Sequence, residues 1–383
     1  MLAIELKGVS YTYSRKTPYE KRALDGVNLA VEKGEFVGLI GATGSGKSTL
    51  IQHLNGLIRP QEGEVLVLGM NASDKKTLKK LRFAVGMVFQ YPEYQLFEDT
   101  VAKDVSFGPR NMKLDKAEID RRVRRALDVV GLPYDEFAGR SPFELSGGEK
   151  RRAAIAGVIA MEPEILVLDE PVAGLDPAGR EEILSLVTRL RAEVSPTVIM
   201  VSHYMDDIAR MADRIVALKD GRIVADGNPH EVFGAREELG AAGLSLPTAA
   251  RVVDKLAARG IALSRNIVTG AELVDALAEY RQKVKSTPNA EDGTAGETAD
   301  DDAGTAGEKN EESVTAPAAH TADGAGETAD DDAGTAGEKN EESVTAPAAH
   351  TADGAGETAD DDAGTAGEKN GESVTAPAGG KDV

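Results

Sequence analysis

The sequence contains no cysteine and no tryptophan, and its only aromatic residues are 8 tyrosines and 8 phenylalanines among 383 positions. Without cysteine there can be no disulfide framework and no thiolate-held metal, although the absence assigns no compartment. Histidine is also scarce: 5 scattered copies give no cluster with metal-ligand spacing. No apolar run approaches the roughly 18–20 residues that a membrane-spanning helix needs. Met1-Leu2-Ala3-Ile4-Glu5 has no basic region leading into an apolar stretch, so a signal peptide is not expected.

Charge is unevenly spread. The chain carries 65 acidic and 44 basic residues, a formal net of −21. Residues 287–383 hold 25 of the acidic groups and 4 of the basic ones, which leaves residues 1–286 with 40 of each sign. The acidity therefore describes the last 97 residues and not the part before them. Within that tail, Gly296–Ala325 recurs residue for residue as Gly326–Ala355, and again over Gly356–Ala378 with Gly371 replacing the glutamate of the earlier copies. A period of this length usually means a solenoid. Each copy offers one large aliphatic residue (Val314, Val344, Val374) and no aromatic. That apolar surface cannot offset the ~1–2 kcal/mol per residue of chain ordering, so the tail is expected to be disordered. It reads either as a solvated extension without a specific role or as an acidic interaction tail.

The balanced part alternates short apolar runs with helical periodicity. Glu35–Ile40 reads as a buried strand, followed by a glycine-rich turn and a helix from about Lys47. Val85–Phe89, Ile165–Leu168 and Thr197–Val201 read as further strands, and Arg121–Val130 and Arg151–Met161 as helices. Ile215–Lys219 and Arg222–Asp226 flank Asp220-Gly221, a good hairpin turn. This pattern predicts an α/β fold with a mainly parallel sheet, in which ligands bind beyond the carboxyl ends of the strands.

Two motifs carry chemistry. Gly41-Ala42-Thr43-Gly44-Ser45-Gly46-Lys47-Ser48 fits the G-x-x-x-x-G-K-[ST] phosphate loop, between a strand and a helix as that motif requires. A polyphosphate needs several inward-pointing backbone N–H groups, and glycines allow the wrap; the helix start adds partial positive charge. Lys47 is expected to reach the β- and γ-phosphates and Ser48 to ligate Mg²⁺, with the contact set running from Gly41 to Thr49. The second motif is Ile165-Leu166-Val167-Leu168-Asp169-Glu170: a strand ending in two carboxylates. Asp169 suits a Mg²⁺ contact, and Glu170 suits the general base for an attacking water.

Further residues narrow the reading. Leu145-Ser146-Gly147-Gly148-Glu149 precedes Asp169, with Glu149 20 residues before it; Gln90 follows the Val85–Phe89 strand; Ala173-Gly174-Leu175-Asp176 follows Glu170; and His203 follows Thr197–Val201. In order and spacing, residues 1–235 resemble the ATP-binding-cassette (ABC) ATPases, with their signature, Q-loop glutamine, D-loop and switch histidine. The resemblance implies a P-loop NTPase cassette with a RecA-like core and a helical subdomain at about 91–160. It also implies that ATP with Mg²⁺ is held between two subunits. Lys47, Ser48, Gln90, Asp169, Glu170 and His203 then serve one site, with Gln90 also near the metal. Ser146, Gly147 and Gly148 serve the partner's. The family also places a stacking aromatic near the N-terminus, where Tyr11 and Tyr13 lie and Tyr13 is favoured. Two positions depart from the family pattern: Glu149 where glutamine is commoner, and Val172 where threonine is commoner. Neither removes a phosphate ligand or the base.

The stretches His53–Leu57, Phe89–Phe97, Phe107-Gly108-Pro109, Ser141–Glu144 and Ala156–Met161 resemble, within that family, the ATPases of energy-coupling-factor (ECF) transporters, and their second ATPase type. Leu244–Leu277, with Val252, Val253, Leu256, Leu273, Val274 and Leu277 at helical spacing around Gly260, resembles their small C-terminal dimerisation appendage, taken as residues 236–286. By that resemblance the chain powers uptake of a vitamin or metal ion at the cytoplasmic face of the cell membrane. It pairs with a second ECF-type ATPase or with itself, beside a transmembrane coupling protein and a substrate-capture membrane protein. Residues 91–97, with Tyr91, Tyr94, Leu96 and Phe97 beside Glu93 and Glu98, are the candidate docking surface; the other reading is that the apolar groups pack inside the helical subdomain. The alternative functions are a non-transport soluble ABC ATPase or an ATP-dependent scaffold. The 56 residues from Gln90 to Ser146 leave no room for the long coiled coil of DNA-repair relatives, and the charge-neutral body offers no basic patch for nucleic acid.

Overall fold

The computed structural model describes residues 1–286, and the expected disordered repeat tail, 287–383, lies outside the described residues. The chain begins with two long strands, β1 (Leu2–Tyr13) and β2 (Lys21–Glu32). Strand β3 (Phe36–Gly41) leads into helix α1 (Lys47–Leu54). Strands β4 (Glu62–Val67) and β5 (Met70–Asn71) follow, then α2 (Leu78–Ala84) and β6 (Val85–Val88). Helices α3 (Val101–Asn111), α4 (Lys116–Val129), α5 (Tyr134–Phe137) and α6 (Gly147–Ile159) precede β7 (Ile165–Asp169). Next come α7 (Pro177–Glu193), β8 (Thr197–Val201), α8 (Met205–Met211), β9 (Arg214–Lys219) and β10 (Arg222–Gly227). The described chain ends with α9 (Pro229–Gly234), α10 (Arg236–Ala241), α11 (Thr248–Ala257) and α12 (Gly270–Ser286).

The main sheet has the order β10-β9-β3-β8-β7-β6 and is parallel from β9 to β6. Its strands are apolar at successive positions because both faces are covered. Phe36, Ile40, Leu166, Leu168, Val198 and Met200 join one core with α3, α4, α6 and α7. Val37, Leu39, Ile165, Val167, Ile199 and Val201 join the other, with α1, β1, β2 and β4. Strand β10 pairs antiparallel with β9 through the expected hairpin, where Asp220 and Gly221 both have positive φ, 47° and 77°.

A second sheet, β2-β1-β4-β5, is antiparallel throughout and closes over α1. The sequence reading did not anticipate it. Register breaks lie between Leu6 and Val9 and again between Val9 and Tyr11, so the alternation of β1 shifts phase within one strand.

Helices α11 and α12 form the small C-terminal body, with a core of Ala249, Val253 and Ile267 backed by Leu263, Leu273 and Ala276. Gly260, φ 83°, interrupts the helical pattern where expected. Of the residues read as its apolar stripe, Val253 is fully buried, while Val274 and Leu277 are exposed. Among the described residues, no helix is long and apolar enough to cross a membrane.

Candidate functional site

The catalytic motifs meet at the carboxyl ends of the parallel strands. The phosphate loop joins β3 to α1, Glu170 and the loop after it follow β7, His203 follows β8, and Gln90 lies just beyond β6. Strand order alone brings together residues 90, 169 and 203, which are far apart in the chain.

The phosphate loop is buttressed from behind. Gly46, φ 109°, caps α1, and a Cβ there would strike the carbonyl oxygen of Ala23. Gly221 of the β9–β10 hairpin donates its N–H to Ser45 O at 2.9 Å. A side chain at Gly221 would strike the same Ala23 carbonyl. The loop, the start of β2 and the hairpin tip thus share one tight junction in which two positions accept only glycine. Ala42, Thr43, Gly44 and Ser48 are exposed, whereas Ser45, Lys47 and Thr49 are buried. Ser45 Oγ has no partner among the described residues.

Lys47 Nζ donates to Gly41 O at 2.7 Å and to Ala42 O at 3.0 Å, so the cation lies inside the loop. Burial holds its pKa below the usual lysine value, against the opposing pull of Glu170 and Asp169. Asp169 shifts upward: burial dominates and the Glu170 carboxylate adds to it, with Lys47, His203 and a hydrogen bond from Ser48 only partly compensating. Two neighbouring carboxylates short of positive charge, one bonded to the Ser48 hydroxyl, are a donor set that fits a hard divalent cation such as Mg²⁺. Gln90 stands exposed beyond β6.

Glu170 takes a left-handed backbone, φ 50°, fixed by its N–H to Val201 O at 3.0 Å and by Ala173 N–H to its carbonyl at 3.1 Å. That turn aims its carboxylate at His203: Nε2 to Oε1 is 2.6 Å. Asp176 caps α7 by accepting from Gly179 N at 2.7 Å. Val172 is buried in the core shared with the helical elements, which accounts for an apolar residue there.

Tyr13, Lys21, Gly44, Gly46, Lys47, Ser48 and Thr49 line a cleft of about 280 Å³ beside the loop. The Tyr13 hydroxyl lies 3.2 Å from Thr49 Oγ1, and its ring is 38% exposed. Tyr11 instead packs edge-on against buried His53, ring centroids 5.3 Å apart. Lys21 escaped sequence reasoning. It faces Tyr13 across the β1–β2 pair, a register that no motif encodes.

The signature residues lie at the start of α6. Ser146 Oγ accepts from Glu149 N at 3.3 Å while Glu149 Oε2 accepts from Ser146 N at 2.7 Å, a reciprocal capping box. These hydrogen bonds lower the Glu149 pKa. The unusual glutamate therefore has a structural part: it satisfies an N–H that the helix leaves open. A Cβ at Gly147 would meet nothing within 4 Å and one at Gly148 only Arg152, so the side-chain side of both positions is open.

In the loop at 91–97 the two carboxylates beside the apolar cluster already have partners within the chain. Glu93 is taken by Arg151, whose Nη2 and Nε donate to it at 2.9 and 3.1 Å, and Glu98 by Arg110 at 2.5 Å. Arg151 is 2% exposed and also donates to Pro171 O and Ala173 O, joining α6 to the loop after Glu170. Leu96 is buried, as the packing reading has it, but Tyr91, Tyr94 and Phe97 are exposed. Phe97 and Phe107, edge-on at 5.1 Å, wall a groove of about 420 Å³ with Phe83, Val158 and Met161.

Comparison with known proteins agrees with this geometry. The ABC transporter family profile matches residues 24–173. The energy-coupling factor transporter ATP-binding protein EcfA2 of Clostridium perfringens is 50% identical over 279 residues, covering 73% of this chain and 98% of that protein. Its namesake in Symbiobacterium thermophilum is 53% identical over 277 residues, covering 72% and 96%. Among solved structures, cbiO1 from Clostridium perfringens, part of the ABC transporter complex cbiONQ, superposes with a TM-score of 0.56 at 38% identity, over 67% of this chain and 95% of that one. A dimeric ATP-binding cassette in a post-hydrolysis state, bound to ADP and Pi, gives 0.52 at 34% identity, over 59% and 98%.

Proposed function

From the membership of this chain in the ABC transporter family, as an energy-coupling factor transporter ATP-binding subunit, we propose that it hydrolyses ATP with Mg²⁺ at the carboxyl edge of its sheet, driving uptake of a vitamin or metal ion through separate membrane subunits. It works at the cytoplasmic face of the membrane, paired with a second ATPase of its type or with itself. The observation that carries the reading is the convergence of Lys47, Ser48, Asp169, Glu170 and His203 on one edge, from the ends of three separate strands.

The phosphate loop and Lys47 bind the β- and γ-phosphates, and Tyr13 stacks on the adenine. Ser48, Asp169 and Gln90 would hold Mg²⁺, which when bound offsets the phosphate charge. Glu170 accepts a proton from the water that attacks the γ-phosphorus, giving ADP and inorganic phosphate. His203 holds Glu170 and the departing phosphate in register. Ser146, Gly147 and Gly148 present N–H groups and a hydroxyl to the nucleotide of the partner subunit. The exposed faces of α12 at Val274 and Leu277 support a dimerising role for the C-terminal body. The groove walled by Phe97 and Phe107 supports docking of the transmembrane coupling protein through apolar contact.

Purification from detergent-solubilised membranes tests this reading. A hydrophobic coupling protein, a capture protein and a second ATPase should copurify, and the complex should turn over ATP. Recovery without membrane partners would favour a soluble ABC ATPase, and absence of ATP binding in the presence of magnesium would overturn the reading altogether.

A further inference from the structure

His203 is followed directly by Tyr204 and then by α8. The Arg180 guanidinium lies over the Tyr204 ring, 3.9 Å from its centroid. The same group donates twice to Asp207: Nε to Oδ2 at 3.0 Å and Nη2 to Oδ1 at 2.7 Å. Asp207 is 4% exposed while Arg180 is half-buried, so the carboxylate end of the pair is shielded and its two-point geometry orients the guanidinium. Arg180 itself sits in the first turn of α7, where its N–H donates to Asp176 O at 2.9 Å. One cation therefore ties the chain just after Asp176 to the chain just after His203. On the outer side of α8, Asp206 accepts from Thr248 N and Oγ1 at 2.7 and 2.8 Å, so the start of that helix is gripped from two directions.

We propose that Arg180 is a positioning residue for His203: by clamping Tyr204 and Asp207 it fixes the backbone that carries the imidazole and keeps Nε2 on Glu170. The inference rests on the reading of His203 as the switch histidine. Strand β8 sets the direction of approach to His203, and Ser202 Oγ accepts from Tyr204 N at 3.0 Å within the turn. Among the described residues Arg210 of α8 also bonds Glu181 of α7, farther along α8, but the Arg180 clamp is the tie that reaches Tyr204 itself. The role needs arginine. A planar fork can bind a carboxylate at two points while its face covers an aromatic ring, and an ammonium cannot do both. Arg180 touches no reacting atom, so its effect is felt through His203.

The test uses the full chain labelled with ¹⁵N, its His203 ring signals assigned by their loss in His203→Ala. Arg180→Lys keeps a cation for the buried Asp207 and is the variant expected to fold; Tyr204→Leu removes the stacking face and leaves the ion pair. Both should shift the His203 ring signals while those of His53 and His230 stay in place. With the copurified membrane partners, kcat should fall about tenfold and KM for ATP stay within twofold. Unmoved His203 signals with kcat within twofold of the wild type overturn the positioning role. Equal movement of the His53, His203 and His230 signals, or KM changing in step with kcat, makes Arg180 a general structural residue and overturns it too. Wild-type turnover in His203→Ala sinks the switch reading itself, and is told apart because the ring shifts in Arg180→Lys persist.

Discussion

Glu170 holds a left-handed backbone that a non-glycine residue adopts at a cost of about 1–2 kcal/mol. Its partners, Val201 O and His203, explain what that strain achieves: the carboxylate is turned out of the strand line and onto the imidazole. Glu170→Gln should keep ATP affinity, lower turnover by about 10²–10⁴-fold as expected for loss of a general base, and trap a closed dimer visible by size-exclusion chromatography. Unchanged turnover would remove Glu170 from that role. Glu149 presents a different question at the same scale. A glutamine can replace it in the capping box, since its side-chain oxygen still accepts from Ser146 N, while removing a negative charge from a helix start proposed to face the partner's nucleotide. Glu149→Gln should therefore tighten ATP-driven pairing about two- to fivefold, read by the ATP concentration that half-saturates dimer formation.

The tight junction behind the phosphate loop belongs to the scale of elements. Gly221 closes a hairpin, bonds Ser45 and leaves no room for a side chain against Ala23. Gly221→Ala should destabilise the chain by about 1–2 kcal/mol through its left-handed φ, and weaken nucleotide binding as well by displacing the loop. Thermal melting and ATP titration of the same sample separate the two effects. Much of this element structure was legible in advance. Ile165–Leu168 and Thr197–Val201 are apolar at every position because both faces of the sheet are buried, and Asp220-Gly221 is a turn by local chemistry alone. The N-terminal sheet was not legible, since breaks in register near Gly8 and Val9 scramble the period on which strand recognition depends. The pairing of Glu93 with Arg151, 58 positions apart, and the clamp of Arg180 on Asp207 were also hidden, because each depends on how separate elements pack. The phosphate loop and the Asp169-Glu170 pair could be singled out in sequence because their chemistry fixes residue type and spacing over a few positions, whereas Gln90 and His203 stood out only through the family resemblance.

At the scale of the whole molecule, charge and packing divide the chain differently. All of the net charge lies in residues 287–383, beyond the described part. Truncation after Lys285 should leave the melting temperature within about 2 °C and ATPase activity near that of the full chain; a large loss in either would assign the tail a working role. Packing is graded as well. Strands β3, β7 and β8 are enclosed by two large cores, whereas α11 and α12 rest on three buried side chains with a few partly buried neighbours. Native-state hydrogen exchange should find the amides of β7 and β8 opening only with global unfolding, and those of α11 and α12 at a clearly lower free energy. A protease or a rise in temperature would then nibble the C-terminal body first, leaving the nucleotide-binding strands sealed. If that body dimerises as proposed, damage at that end is graceful: the chain would lose its grip on a companion before it lost its fuel.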